Sequence, residues 1–246
     1  MPRSNPDRTV RRILWWLCLL VAPAVLIAIE LYHPAGFTEQ PGMYQFLSYA
    51  EPQAHHSALD YFGPQWWFTL HMIQTPMIGL VAVGLWLMVE DIDSGDGTAA
   101  MTFAWLARAA TLVFLVYYTV LDAIGGIGLG QTLLTVQNLA DAGELDLRQV
   151  EGITVLLNTV WADPVIGGVG SLVSRIGSWA AFATAVFAAA ALVLADRAGW
   201  ANMVPLLGFG WELQVSHASP HGPIAFGLLI VAAGWLRWSR SRRILA

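Results

Sequence analysis

The chain has 246 residues, of which 57% are hydrophobic and only 12% charged, with a formal net charge of -5. Charged residues make up about a quarter of an ordinary soluble domain, so this composition argues for a chain embedded in a lipid bilayer. All 12 basic residues are arginine and Cys18 is the only cysteine, which excludes a lysine Schiff base, an internal disulfide and a thiolate metal cluster.

A hydrocarbon core of ~30 Å needs about 20 apolar residues in helical form. The first such run covers residues 13–32 and follows Arg3, Arg8, Arg11 and Arg12. Arg11-Arg12 before an apolar run has the outline of an export signal, with Val21-Ala22-Pro23-Ala24 as a cleavage site. The run continues unbroken to Ile29, and a retained span is the expected outcome. Glu30 and His33 end it three residues apart, on one helical face.

A polar connection over 34–65 carries His55, His56 and Asp60. It leads to a second span at 66–89, where His71 lies roughly 7–8 Å below the starting boundary. Gln74 and Thr75 follow one turn deeper, and Pro76 then removes a backbone donor. The acidic turn Asp91-Ile92-Asp93-Ser94-Gly95-Asp96 lacks the full pattern of a calcium loop and reads as solvated. A third span covers 101–121 and ends beside Asp122.

Beyond Asp122 the glycine run Gly125 to Gly130 is expected to permit close helix packing or to break the third helix. It follows no strand and is not a dinucleotide motif. Leu147, Val150, Ile153, Leu156, Leu157 and Val160 then recur at helical spacing, which predicts amphipathic helices on the outer surface. The fourth span is 171–195 and the fifth 201–216, with Glu212 inside the latter. His217 and His221 flank a proline-glycine turn into the sixth span, 224–238. Gly79, Gly84, Gly208 and Gly210 are placed as packing glycines in their spans.

Arginines before the first span and after the last put both termini on the cytoplasmic side, which requires an even number of spans. The expected fold is thus an all-α polytopic membrane bundle of about six helices. It forms one domain over 1–246, in a plasma (inner) membrane. Six histidines then fall towards the opposite, outer side.

An ionisable side chain inside hydrocarbon costs at least a few kcal/mol unless paired or hydrated. Glu30, His71, Asp122 and Glu212 are therefore expected to face the interior of the bundle. Histidine with carboxylate is the ligand set of copper, iron and zinc, and also a set of proton carriers. The expected metal ligands are His33, His71, His217, His221 and Glu30, with Glu212 and Asp122 as catalytic carboxylates. His55 and His56 read as solvated loop residues.

Three functions follow: a metal-dependent membrane enzyme acting on a lipid-like substrate, a proton- or ion-coupled transporter, and a non-catalytic cofactor-binding subunit of a larger membrane complex. Expected partners are the bilayer, a lipid-like or isoprenoid ligand and other membrane proteins. Nucleic acid is excluded because no basic stripe exists outside the membrane flanks.

Overall fold

The structure, a computed structural model, describes residues 6–33 and 63–245. His55, His56 and Asp60 lie outside the described residues. Among those described, the chain is helical, with no strand. In chain order the helices are α1 (Pro6–Trp16), α2 (Ala22–Glu30), α3 (Pro64–Met88), α4 (Thr98–Leu121), α5 (Leu129–Asp141), α6 (Leu147–Trp161), α7 (Leu172–Leu194), α8 (Trp200–Val215) and α9 (His221–Leu245). Two π-helical segments, Leu17–Val21 and Asp122–Gly128, join α1 to α2 and α4 to α5 without a break.

Among the described residues four helical runs are long and apolar enough to cross a membrane: Thr9–Glu30, Pro64–Met88, Thr98–Asp141 and Leu172–Leu194. Their surfaces fit a lipid environment. On α4, the apolar side chains of Trp105, Leu112, Val113 and Val116 are exposed. A soluble protein rarely leaves such a continuous apolar surface open.

The third run differs from the sequence expectation. It does not stop at Asp122 or break at the glycines but continues for 44 residues. At 1.5 Å per residue this is roughly 65 Å, about twice the hydrocarbon thickness, so part of it must lie beyond the core. The glycines are accommodated by widening the helix to π geometry, which inserts extra backbone without ending the hydrogen-bond ladder.

The chain divides into two compact units. Unit one comprises 1–31, 76–116 and 177–246. Within it α9 packs along both α8 and α2. A Cβ on Gly84 would fall 2.6 Å from Leu19 Cδ2, one on Gly210 2.6 Å from the Ala185 Cβ, and one on Gly208 2.9 Å from Leu228 Cδ1. These three glycines permit close helix approach. Gly79 does not, since no atom lies within 4 Å of the position its Cβ would take.

At one end of unit one, three arginines converge on the segment between α3 and α4. Arg11 pairs with Glu90 and Asp91. Arg197 pairs with Asp96 at 2.9 Å. Arg108, buried on α4, donates to the Val89 carbonyl at 2.7 Å and to the Glu90 carbonyl at 3.1 Å. Its guanidinium also lies 4.8 Å from the Trp105 ring centroid. A cation at these carbonyls caps the C-terminal end of α3, where the helix dipole is negative.

Unit two comprises 32–75 and 117–176. Its core is Trp67, Leu129, Leu133, Val136, Ala140, Val150 and Leu157. Helix α6 starts with a capping box, in which the Asp146 side chain accepts from the Gln149 N–H and the Gln149 side chain accepts from the Asp146 N–H. It then packs on α5. Of its six periodic apolar residues, Val150 and Leu157 are buried and Ile153 is partly buried, whereas Leu147, Leu156 and Val160 are exposed. The buried stripe is narrower than the periodicity predicts.

Candidate functional site

In unit two the site is built on the first half of α3. A four-residue helical spacing places Trp67, His71 and Thr75 in a column, with Gln74 beside it. His71 is buried, and its Nδ1 lies 2.7 Å from the Trp67 carbonyl. A carbonyl can only accept, so Nδ1 carries a hydrogen, and in the neutral ring Nε2 holds the lone pair. The His33 ring meets the His71 ring edge to face, with centroids 5.2 Å apart, and meets Trp67 at 5.6 Å. Rings in edge contact leave no gap for a haem plane between them. Trp67 also meets Trp161 at 5.7 Å and donates from Nε1 to the Gly125 carbonyl at 3.0 Å.

Asp122 stands at the start of the π segment and is 1% exposed. Thr75 Oγ1 lies 3.2 Å from its Oδ2, and Gln74 Nε2 lies 3.3 Å from its Oδ1. The same Thr75 hydroxyl is 2.9 Å from the His71 carbonyl. Gln74 is fully buried, and its Oε1 meets no hydrogen-bond donor among the described residues. Met72 and Pro76 both lie on the exposed side of α3, so the carbonyl that Pro76 leaves without a donor is not on the Gln74 face.

The π segment suits this role. Its wide turn turns a carbonyl, that of Gly125, towards the Trp67 indole. Its glycines also leave room for the histidine: a Cβ on Gly126 would fall 2.2 Å from His71 Cδ2.

Unit one holds a second polar group. Glu212 lies in the last turn of α8, and its Oε2 is 2.7 Å from Nδ1 of His221, the first residue of α9. Both side chains are partly exposed. Glu212 is therefore near a helix end with a partner at hand, and not the deeply placed acid that its position in the fifth span implied. His217 is buried in the α8–α9 connection, where loss of hydration pushes its pKa down to about 4. Glycine is needed at 222, since a Cβ there would sit 1.7 Å from the His217 carbonyl oxygen and 3.5 Å from Glu30 Cβ. Glu30 itself is fully buried at the end of α2.

Among the described residues no three histidine, cysteine or carboxylate groups gather in an arrangement able to hold a metal ion. The expected ligand set resolves instead into local pairs, His33 with His71 and His221 with Glu212. The side chains that surround Asp122 were open to a reader of the sequence only in part. Gln74 and Thr75 are polar residues mid-span, one turn beyond His71, and that signal was present. Gly126 falls in the glycine run expected to permit close helix packing, but its contact with His71 and the approach of Trp161 carried no signal, because nothing in the spacing shows that the third helix continues past Asp122.

The class these features fit is an all-helical protein whose several long apolar helices are compatible with a multi-pass membrane protein. No known protein family, curated protein sequence or solved structure matches the chain.

Proposed function

We propose that this protein is a proton- or ion-coupled membrane carrier, with Asp122 as the group that takes up and releases the coupling charge. The observation that supports this most directly is the Thr75 hydroxyl. It has one hydrogen and two neighbouring acceptors, the His71 carbonyl at 2.9 Å and Asp122 Oδ2 at 3.2 Å. If the hydrogen serves the carbonyl, two acceptor oxygens face each other, and only a proton on Asp122 or a bound cation relieves the contact. A lone carboxylate inside a membrane span requires the same positive charge.

In this reading six helices cross the plasma membrane, with α8 and α9 as the fifth and sixth spans and both termini cytoplasmic. Helix α8, with 16 residues, is about 24 Å long and would cross only with help from its flanking residues or local bilayer thinning. The His71 end of α3 would then open to the outside.

Reconstitution into liposomes with an internal pH dye tests the function. An imposed proton or sodium gradient should drive flux in the native protein and none in Asp122→Asn. Equal flux in both would end the proposal.

The second reading is a copper-, iron- or zinc-dependent membrane enzyme acting on a lipid-like or isoprenoid substrate, and the His33–His71 contact favours it. There His71 Nε2 and His33 would supply nitrogen ligands, with Asp122 as a catalytic carboxylate. Stoichiometric metal in gently purified protein, lost in His71→Ala, would select this reading over the carrier.

A further inference from the structure

We propose that the coupling charge at Asp122 is a sodium-sized monovalent cation held by four oxygens: both carboxylate oxygens of Asp122, Thr75 Oγ1 and Gln74 Oε1. The proposal rests on the carrier reading above and names its ion.

The chemistry of the donors comes first. Among the described residues the groups in hydrogen-bond contact with the Asp122 carboxylate are a hydroxyl and a carboxamide, with no sulfur and no imidazole. Oxygen-only sets select hard cations over copper, iron or zinc. Charge then selects valence. Asp122 brings one negative charge and both partners are neutral. A monovalent ion is balanced at the site, whereas a divalent ion would leave one positive charge uncompensated in low dielectric, at a cost of several kcal/mol.

Distances separate a cation from a proton. A protonated carboxyl donating to oxygen settles at roughly 2.7–2.8 Å. The Thr75 oxygen–oxygen contact is wider, at 3.2 Å, and on the other side the Gln74 Nε2 donates to Asp122 Oδ1 at 3.3 Å. A cation of sodium or calcium size sits about 2.3–2.6 Å from each ligand, which puts neighbouring ligand oxygens roughly 3.3–3.7 Å apart at right angles. The Thr75 Oγ1–Asp122 Oδ2 spacing of 3.2 Å falls just below that range, and Gln74 Oε1 would reach its lower edge on taking the place of Nε2, 3.3 Å from Asp122 Oδ1.

Gln74 is the independent pointer. Its fully buried Oε1 meets no donor among the described residues, and such an oxygen is costly. One proton on Asp122 would satisfy Thr75 or Gln74 but not both. Rotation about the Gln74 Cγ–Cδ bond brings Oε1 to the position of Nε2, 3.3 Å from Asp122 Oδ1, and a cation then serves both residues together. The hydroxyl of Thr75 keeps its hydrogen on the His71 carbonyl and offers its lone pair to the ion.

The test is thermal unfolding of the full chain in detergent, with sodium chloride exchanged for choline chloride at constant ionic strength. Sodium should raise the unfolding temperature in a saturable way. Asp122→Asn should abolish the effect, and Gln74→Met should shift the half-saturating concentration upward about tenfold or more, as loss of a supporting group does at metal sites. Should Asp122→Asn fail to fold, infrared difference spectra of the native protein provide the second readout. Sodium should shift carboxylate stretching bands, with no change in the native spectrum when choline is the only cation. Absence of any sodium effect on the native protein, by either measurement, overturns the proposal. Proton-driven flux that persists without sodium and is lost in Asp122→Asn would overturn the cation while leaving the carrier standing. Absence of both fluxes would remove the carrier itself.

Discussion

Gly126 lies directly against the imidazole of His71. A Cβ built there would sit 2.2 Å from Cδ2, 2.3 Å from Cγ and 2.7 Å from Cβ of the histidine. No real side chain tolerates such distances, so the pair is a lock: the π segment passes α3 at this point only because residue 126 has no side chain. An alanine would have to expel the ring from its place and break the bond from Nδ1 to the Trp67 carbonyl.

Gly126→Ala should therefore destabilise the protein by about 1–3 kcal/mol, the usual cost of overfilling a packed interior. Thermal unfolding followed by circular dichroism in detergent measures it. Tryptophan fluorescence should change as well, because the Trp67 ring lies tilted against the displaced ring, with centroids 4.8 Å apart. Gly79→Ala is the control. It meets no atom within 4 Å, and helix propensity predicts a gain of up to about 1 kcal/mol. Equal behaviour of the two variants would show that His71 is not held in this way.

Arg108 bonds the last carbonyls after α3 and is buried while doing so. Arg108→Leu keeps the apolar volume but removes the guanidinium donor from both carbonyls, leaving Val89 only the Ile92 N–H at 3.3 Å. The expected cost is about 1–3 kcal/mol, the usual range for removing one partner of a buried hydrogen bond. Arg108→Lys retains charge but loses the planar fork that reaches two carbonyls and stacks on Trp105. It should fall between the native protein and the leucine variant in unfolding temperature, and a lysine variant equal to the native one would argue for charge alone.

His217 makes stability depend on pH in a defined window. An unfolded histidine titrates near 6.5, whereas burial holds His217 near 4 in the fold. Between these values the unfolded chain binds a proton that the folded chain refuses. Stability is thus fully present above about pH 6.5, falls as pH drops towards 4 and changes little more from this group below that. The loss across the window is about 2–4 kcal/mol at 1.36 kcal/mol per pKa unit. Unfolding curves at half-unit pH steps should show the slope in native protein and a flatter one in His217→Gln. An unchanged slope in the variant would place the proton elsewhere.

The amino-acid pattern by itself determined the long apolar helices. Few charges and long apolar runs suit a bilayer, where only a helix or closed barrel satisfies the backbone groups. It also marked the costly residues His71, Asp122 and Glu30, since burial follows from their place in or beside an apolar run. Tertiary structure decided what those residues meet. A wide π turn preserves the helix past Asp122, and no hydropathy pattern distinguishes such a turn from a loop beginning with glycine. It also decided that Glu212 finds His221, nine residues away across a turn. Long-range pairing depends on where helices cross, and crossings are set by packing surfaces that a linear pattern does not encode. For that reason the sequence pointed to a histidine centre, whereas the folded chain puts an aspartate, a threonine and a glutamine together.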